Sequence, residues 1–102
     1  MIYQYKHIII LLLIINPLFL FSHNIIRGKV VCSNTNKALS GASIQLKSTN
    51  EGCSSDDWGN FTIDTDYESG ILLVSYLGYT SQEIIFTSHT DFLLIEMKAD
   101  II

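Results

Sequence analysis

The sequence predicts an all-β chain: an antiparallel β-sandwich of seven short strands behind an N-terminal export signal. Three observations carry that expectation. From Asn24 onward apolar and polar residues alternate with a period of two, and no helical period interrupts them. Clusters of Gly, Asn, Asp and Ser break the chain at roughly 8–12-residue intervals, the spacing of a sandwich and its turns. The run 71–79, Ile-Leu-Leu-Val-Ser-Tyr-Leu-Gly-Tyr, is apolar on both faces. It is therefore expected deep in a sheet, covered on both sides, with the other strands packed around it.

The first segment is for targeting. Residues 1–7 hold one firm positive charge, Lys6, residues 8–21 are apolar apart from Asn16 and Pro17, and Ser22, His23 and Asn24 end the run. A basic start, a short greasy centre and a polar exit make a secretory signal peptide over residues 1–23. The apolar centre, about 14 residues, is shorter than the roughly 20 that a spanning helix needs. Ser22 is the one small residue placed to flank a cut, and an uncleaved anchor is the alternative. Cys32 lies too far along for lipid attachment. Either way the domain leaves the cytoplasm and meets a membrane only through this segment or a partner.

The strands follow in order. In 25–32, Ile26, Gly28, Val30 and Cys32 face one way and Arg27 and Lys29 the other, with Gly28 leaving room for a large neighbour. Residues 33–41 turn, with Leu39 as their apolar anchor. Ala42, Ile44 and Leu46 then point inward against Ser43, Gln45 and Lys47. Residues 52–55 suit a short edge strand. Asp56-Asp57-Trp58-Gly59-Asn60 suits a tight turn, its Asp capping the turn and Gly59 taking positive φ. Phe61 and Ile63 face in, and 66–70 turn again. After the central run, bent at Gly78, come 80–86 with Gln82, Ile84 and Phe86 on one face, a turn at 88–91, and a last strand with Leu93, Ile95 and Met97 inward. Residues 99–102 read as a bare tail.

Length and charge exclude several functions. The chain has 102 residues, with 6 basic and 10 acidic side chains and a net charge of −4. About 80 residues past the signal make one small core, without spare volume for a deep ligand pocket. The basic residues are scattered, so no stripe exists for nucleic acid. Most of the clustered acidic residues, Asp56, Asp57, Asp64, Asp66 and Glu68, fall in turns, and the Asp56–Asn60 stretch lacks the alternating ligands and distal Glu of a calcium loop. His7 and His23 leave with a cleaved signal, and His89 alone makes neither a zinc site nor a Ser/His/Asp set. No cofactor is implied. Trp58 is the one aromatic expected to be exposed on a turn, while Tyr76 and Tyr79 suit the core or its rim. Cys32 and Cys53 are either a disulfide, whose loop of about 20 residues could add about 3 kcal/mol, or two free thiols.

One ordered series remains: Ile26-x-Gly28-x-Val30, Leu39-x-Gly41-Ala42-x-Ile44, Gly52, Asp56-x-x-Gly59-x-Phe61, Val74-Ser75-Tyr76-Leu77-Gly78-Tyr79 and Leu93-x-Ile95-x-Met97. It resembles the carboxypeptidase regulatory-like domain over about residues 25–98, and most closely the version at the N-terminus of SusC-like TonB-dependent outer-membrane receptors of Bacteroidetes. The resemblance implies a prealbumin-like (Ig-like, transthyretin-like) sandwich over residues 24–98 that is not an enzyme. It implies a place in the periplasm or at the outer membrane, and as partner an envelope protein or a receptor's own plug and barrel. Gly28, Gly41, Asp56, Gly59, Phe61, Ser75, Tyr76, Gly78 and Tyr79 carry the family pattern. Cys32 and Cys53 stand where the family usually has polar residues. The chain ends near where the connector to a TonB box is expected, so it reads either as a shortened receptor or as a free-standing exported sandwich that binds a protein or glycan. Hydroxyisourate hydrolases share the sandwich, but this chain lacks the His and Arg residues and the terminal Tyr-Arg-Gly-Ser of that site.

Overall fold

The computed structural model describes residues 23–100, so the segment expected to be an export signal, His23 apart, and the last two residues lie outside the description. Seven strands form in the expected order: β1 Asn24–Cys32, β2 Ser43–Leu46, β3 Gly52–Ser54, β4 Asn60–Thr65, β5 Gly70–Ser75, β6 Gln82–Phe86 and β7 Phe92–Met97. They make two sheets, one ordered β4-β1-β7 and one ordered β3-β2-β5-β6. The core lies between them. Ile26, Val30, Phe61, Ile63, Ile95 and Met97 come from the first sheet, and Ala42, Ile44, Leu46, Leu72, Val74 and Phe86 from the second, all buried. The alternation in the sequence is what places them there, because successive side chains of a strand leave on opposite faces.

The sandwich is not wholly antiparallel. β1 and β7 pair in parallel, with Val30 opposite Ile95 and Cys32 opposite Met97, while every other strand pair is antiparallel. The cause is topological. The chain reverses at each of the six connections, so strands an even number of reversals apart run the same way. β1 and β7 are such a pair, and they become neighbours. Alternation within each strand is blind to this.

The central run also differs from expectation. β5 is an inner strand of the larger sheet, between β2 and β6. Among the described residues only one of its faces is sealed: Leu72 and Val74 are buried, while Ile71 and Leu73 are half-buried on an outer face that no described layer covers. The middle of the other sheet is β1, so the strands are shared between two hubs. The strand ends at Ser75, and Leu77 is 97 % exposed on the turn that follows. Tyr79 makes a single bridge to Ala99. The expected bare tail is thereby tied down, since Asp100 N–H also donates to Gly78 O at 2.8 Å.

Close approach decides one glycine in the core. A Cβ at Gly28 would meet the backbone carbonyl of Leu93 and lie 2.5 Å from the Phe61 ring. The space expected at Gly28 is filled by the Phe61 side chain from β4, opposite it in register.

Candidate functional site

No group of three or more His, Cys, Asp or Glu side chains gathers among the described residues to hold a metal. His23 and His89 are both exposed, and His23 Nδ1 lies 3.3 Å from Asp64 and 3.6 Å from Asp66 at the solvent-facing start of β1. That ion-pair cluster was not foreseen, because His23 reads in sequence as part of the export signal.

The residues of the family pattern mostly converge on one end of the sandwich, where β1, β3, β5 and β7 finish. Asp56 builds the β3–β4 turn: its Oδ1 accepts from Trp58 N–H at 3.0 Å and Asn60 N–H at 2.8 Å. Gly59 closes the turn with φ +80, and its carbonyl accepts from Val30 N–H at 2.8 Å. Trp58 projects from it, 69 % exposed. Gly41 and Gly78 also take positive φ, +80 and +87. Beside them Tyr76 and Tyr79 pack at the core rim with ring centroids 5.5 Å apart. Gly41, Ser43, Ser75, Tyr76 and Leu77 line a shallow cleft of about 420 Å³, open to solvent. A second open cleft, about 330 Å³, follows the β2–β3 edge past Gln45, Asn50, Glu51 and Ser54. Neither is enclosed as small-molecule sites usually are.

Ser55 is the residue that sequence reasoning missed at this end. It is buried, its hydroxyl donates to Leu39 O at 2.6 Å and accepts from Ala42 N–H at 2.8 Å, and its backbone exchanges further bonds with Gly41 and Ala42. It therefore fastens the 33–42 loop to the β3–β4 corner. Ser55→Ala leaves a buried N–H and a buried carbonyl short of a partner, and is expected to cost about 1–3 kcal/mol. Ser54→Ala, one residue earlier and exposed, is expected to stay within about 0.5 kcal/mol in the same urea melts. The only sequence signal was a Ser where the alternation of β3 points inward.

Cys32 and Cys53 are free thiols, Cys32 nearly buried at the end of β1 and Cys53 half-buried in β3. The two differ chemically. Hydrogen bonds from the Thr35 side chain, the Tyr79 hydroxyl and the Asn34 and Thr35 backbone bring Cys32 from 9.0 down to about 7, outweighing burial. The same contact with Cys32, with burial second, pushes the Tyr79 hydroxyl up. Burial pushes Cys53 up, against one backbone bond near Thr62. A thiol whose folded pKa is depressed adds stability that is full above pH 9.0 and is lost as pH falls through about 7. Alkylation followed by peptide mapping is expected to give a pH midpoint near 7 at Cys32 and one above the usual thiol range at Cys53.

Comparison with known proteins agrees with the geometry. A segment of 59 residues, 58 % of the chain, is 37 % identical to part of the TonB-dependent receptor P3 of Formosa agariphila, and spans 6 % of that receptor's length. Among solved structures, chains from two interface mutants of the type II cohesin-X-dockerin complex of Acetivibrio cellulolyticus superpose with TM-scores of 0.60 and 0.55. Each is 19 % identical, with 74 % of this chain and 58 % of the other covered. At that identity the likeness is one of fold. The profile of the CarboxypepD_reg-like domain family matches residues 26–101, from the first buried residue of β1 to the segment that bridges Tyr79, and the chain belongs to that family.

Proposed function

We propose that the domain is a non-catalytic interaction module of the bacterial envelope, acting in the periplasm or at the outer membrane as the N-terminal extension of a SusC-like TonB-dependent nutrient receptor acts. The observation that carries this reading is the pairing of a family match over nearly the whole sandwich with a receptor relative at 37 % identity. The surface supports it. Leu77, Ile85, Phe92 and Leu94 are large apolar side chains left 58–97 % exposed, and Phe92 and Leu94 stand on the same outer face of β7, where a partner could cover them. The basic, apolar and polar order of residues 1–24 supports export.

Fractionating cells of the native host that carry a tagged chain tests the reading. The expected result is recovery in the envelope fraction together with a TonB-dependent barrel. Recovery from the cytosol without an envelope partner overturns it. Recovery from the periplasm with a soluble glycan or protein instead favours a free-standing binding domain.

A further inference from the structure

We infer that the outer edge of β7 is a docking site for an extended, acidic segment of a partner protein, which adds to the sheet as a fourth strand. The inference deepens the interaction-module reading above and rests on it.

β7 is an edge strand, bonded to β1 on one side only. Met97 O accepts from Ser33 N–H, so alternate residues from Met97 backwards turn their backbone toward β1. The intervening residues turn theirs outward. Two of them are already engaged: Lys98 O accepts from Thr80 N–H at 2.9 Å, and Glu96 O from Gln82 Nε2 at 2.6 Å. Below them the N–H and C=O groups of Phe92 and Leu94 face an edge that no described strand pairs. Exposed edges are ordinarily blunted by shortness, charge or proline. β3 has three residues, and β4 carries Asn60, Thr62 and Asp64 on its outer face. β7 instead presents Phe92 and Leu94, each 58 % exposed.

Charge identifies the occupant. Opposite Phe92 and Leu94 on β1 stand Arg27 and Lys29. The ion pairs of the described residues involve His23 and Lys47, and no described carboxylate lies within ion-pair distance of Arg27 or Lys29. An acidic protein thus carries two uncompensated cations beside its open apolar edge. A strand added there lies about 10 Å from β1, two strand spacings. Glu side chains on its outer face can lay their stems over Phe92 and Leu94 and bring their carboxylates to Arg27 and Lys29. Its inward side chains meet Leu93 and Ile84, both half-buried against the core, and are expected to be apolar. The segment recognised is therefore one in which apolar residues alternate with Glu. Backbone bonds supply affinity and the alternate side chains supply selection.

Titrating the full chain with a capped nine-residue peptide of alternating Val and Glu, and reading amide exchange by NMR, tests the inference. The amides of Phe92 and Leu94 are expected to exchange at least about tenfold more slowly on saturation. The Val/Lys peptide, and the Arg27→Gln/Lys29→Gln double variant with the Val/Glu peptide, are each expected to bind about tenfold more weakly. Leu94→Pro removes the outward N–H at a place where an edge strand tolerates proline, and is expected to abolish binding with the rest of the spectrum kept. Four results overturn the inference: unchanged exchange at Phe92 and Leu94, equal binding of both peptides, protection that depends on the chain's own concentration, or protection by phosphatidylglycerol vesicles in place of the peptide. None of these bears on envelope fractionation, so this inference can fail while the functional reading stands.

Discussion

Phe86→Ala is expected to remove a large share of the domain's stability. Phe86 ends β6 and is fully buried. It lies opposite Gly70, where an added Cβ would come within 3.0 Å of the Phe86 ring and 3.1 Å of Leu46. The ring thus fills the space left by a residue with no side chain. Truncating a buried Phe costs about 3–5 kcal/mol in lost transfer energy and cavity. A domain of about 80 residues has of the order of 4–12 kcal/mol to lose. Urea melts followed by Trp58 fluorescence are expected to show a midpoint lowered by about 1 M or more. Phe86→Leu, which keeps most of the volume, is expected to lose about 1.5 kcal/mol. Equal small losses for both would mean that the ring is not packed as described.

Gly59→Ala is expected to cost about 3 kcal/mol, against about 1 kcal/mol for Gly78→Ala. Both glycines take positive φ, +80 and +87, so an alanine pays the backbone penalty at either. They differ in surroundings. A Cβ at Gly59 would sit 2.5 Å from Val30 O and 3.3 Å from the Ala38 Cβ, whereas at Gly78 nothing lies within 4 Å. Val30 O cannot retreat cheaply, since it accepts from Leu39 N–H at 3.0 Å while Val30 N–H donates to Gly59 O. The strain at Gly59 is therefore shared with the loop that Ser55 fastens. Thermal melts of the two variants side by side separate backbone conformation from crowding, and equal shifts would contradict the close approach at Gly59.

These two effects mark what the sequence made legible. Alternation assigned the faces of β1, β2, β4 and β7 residue by residue, from Ile26 to Met97, because a strand with one face in the core leaves a period-two record. The Asp56–Gly59 turn was equally readable, since only a capping carboxylate and a residue free to take positive φ suit it. Pairing was harder. Nothing in β1 or β7 alone records that they run parallel, because that follows from the count of reversals between them and from which strands become neighbours. The run 71–79 misled for a related reason: apolar side chains on both faces imply cover on both, but Ile71 and Leu73 lie on an outer face that no described layer covers. The tail residues Ala99 and Asp100 looked free because their partners, Tyr79 and Gly78, use backbone groups that leave no mark in side-chain chemistry. Ser55 was hidden by its own polarity, which suits a loop as well as a buried fastening.

The same reasoning bears on the site. Glycine and tyrosine positions of the family pattern were found from their order, and their convergence at one end of the sandwich emerges only from the fold. Arg27 and Lys29 read as ordinary solvent-facing charges on β1. Their position beside Phe92 and Leu94 depends on the parallel register with β7, which the sequence did not announce.

The central claim is that this sandwich works by contact within the envelope. Site-specific photocross-linking in living cells tests it most directly, with the probe placed in turn at Leu77, Ile85 and Leu94 on exposed apolar positions and at Thr62 on the polar face of β4. A cross-link to an envelope polypeptide is expected from at least one of the apolar positions and none from Thr62. Absence of cross-links from all three apolar positions, in cells where the chain is folded and exported, would contradict it.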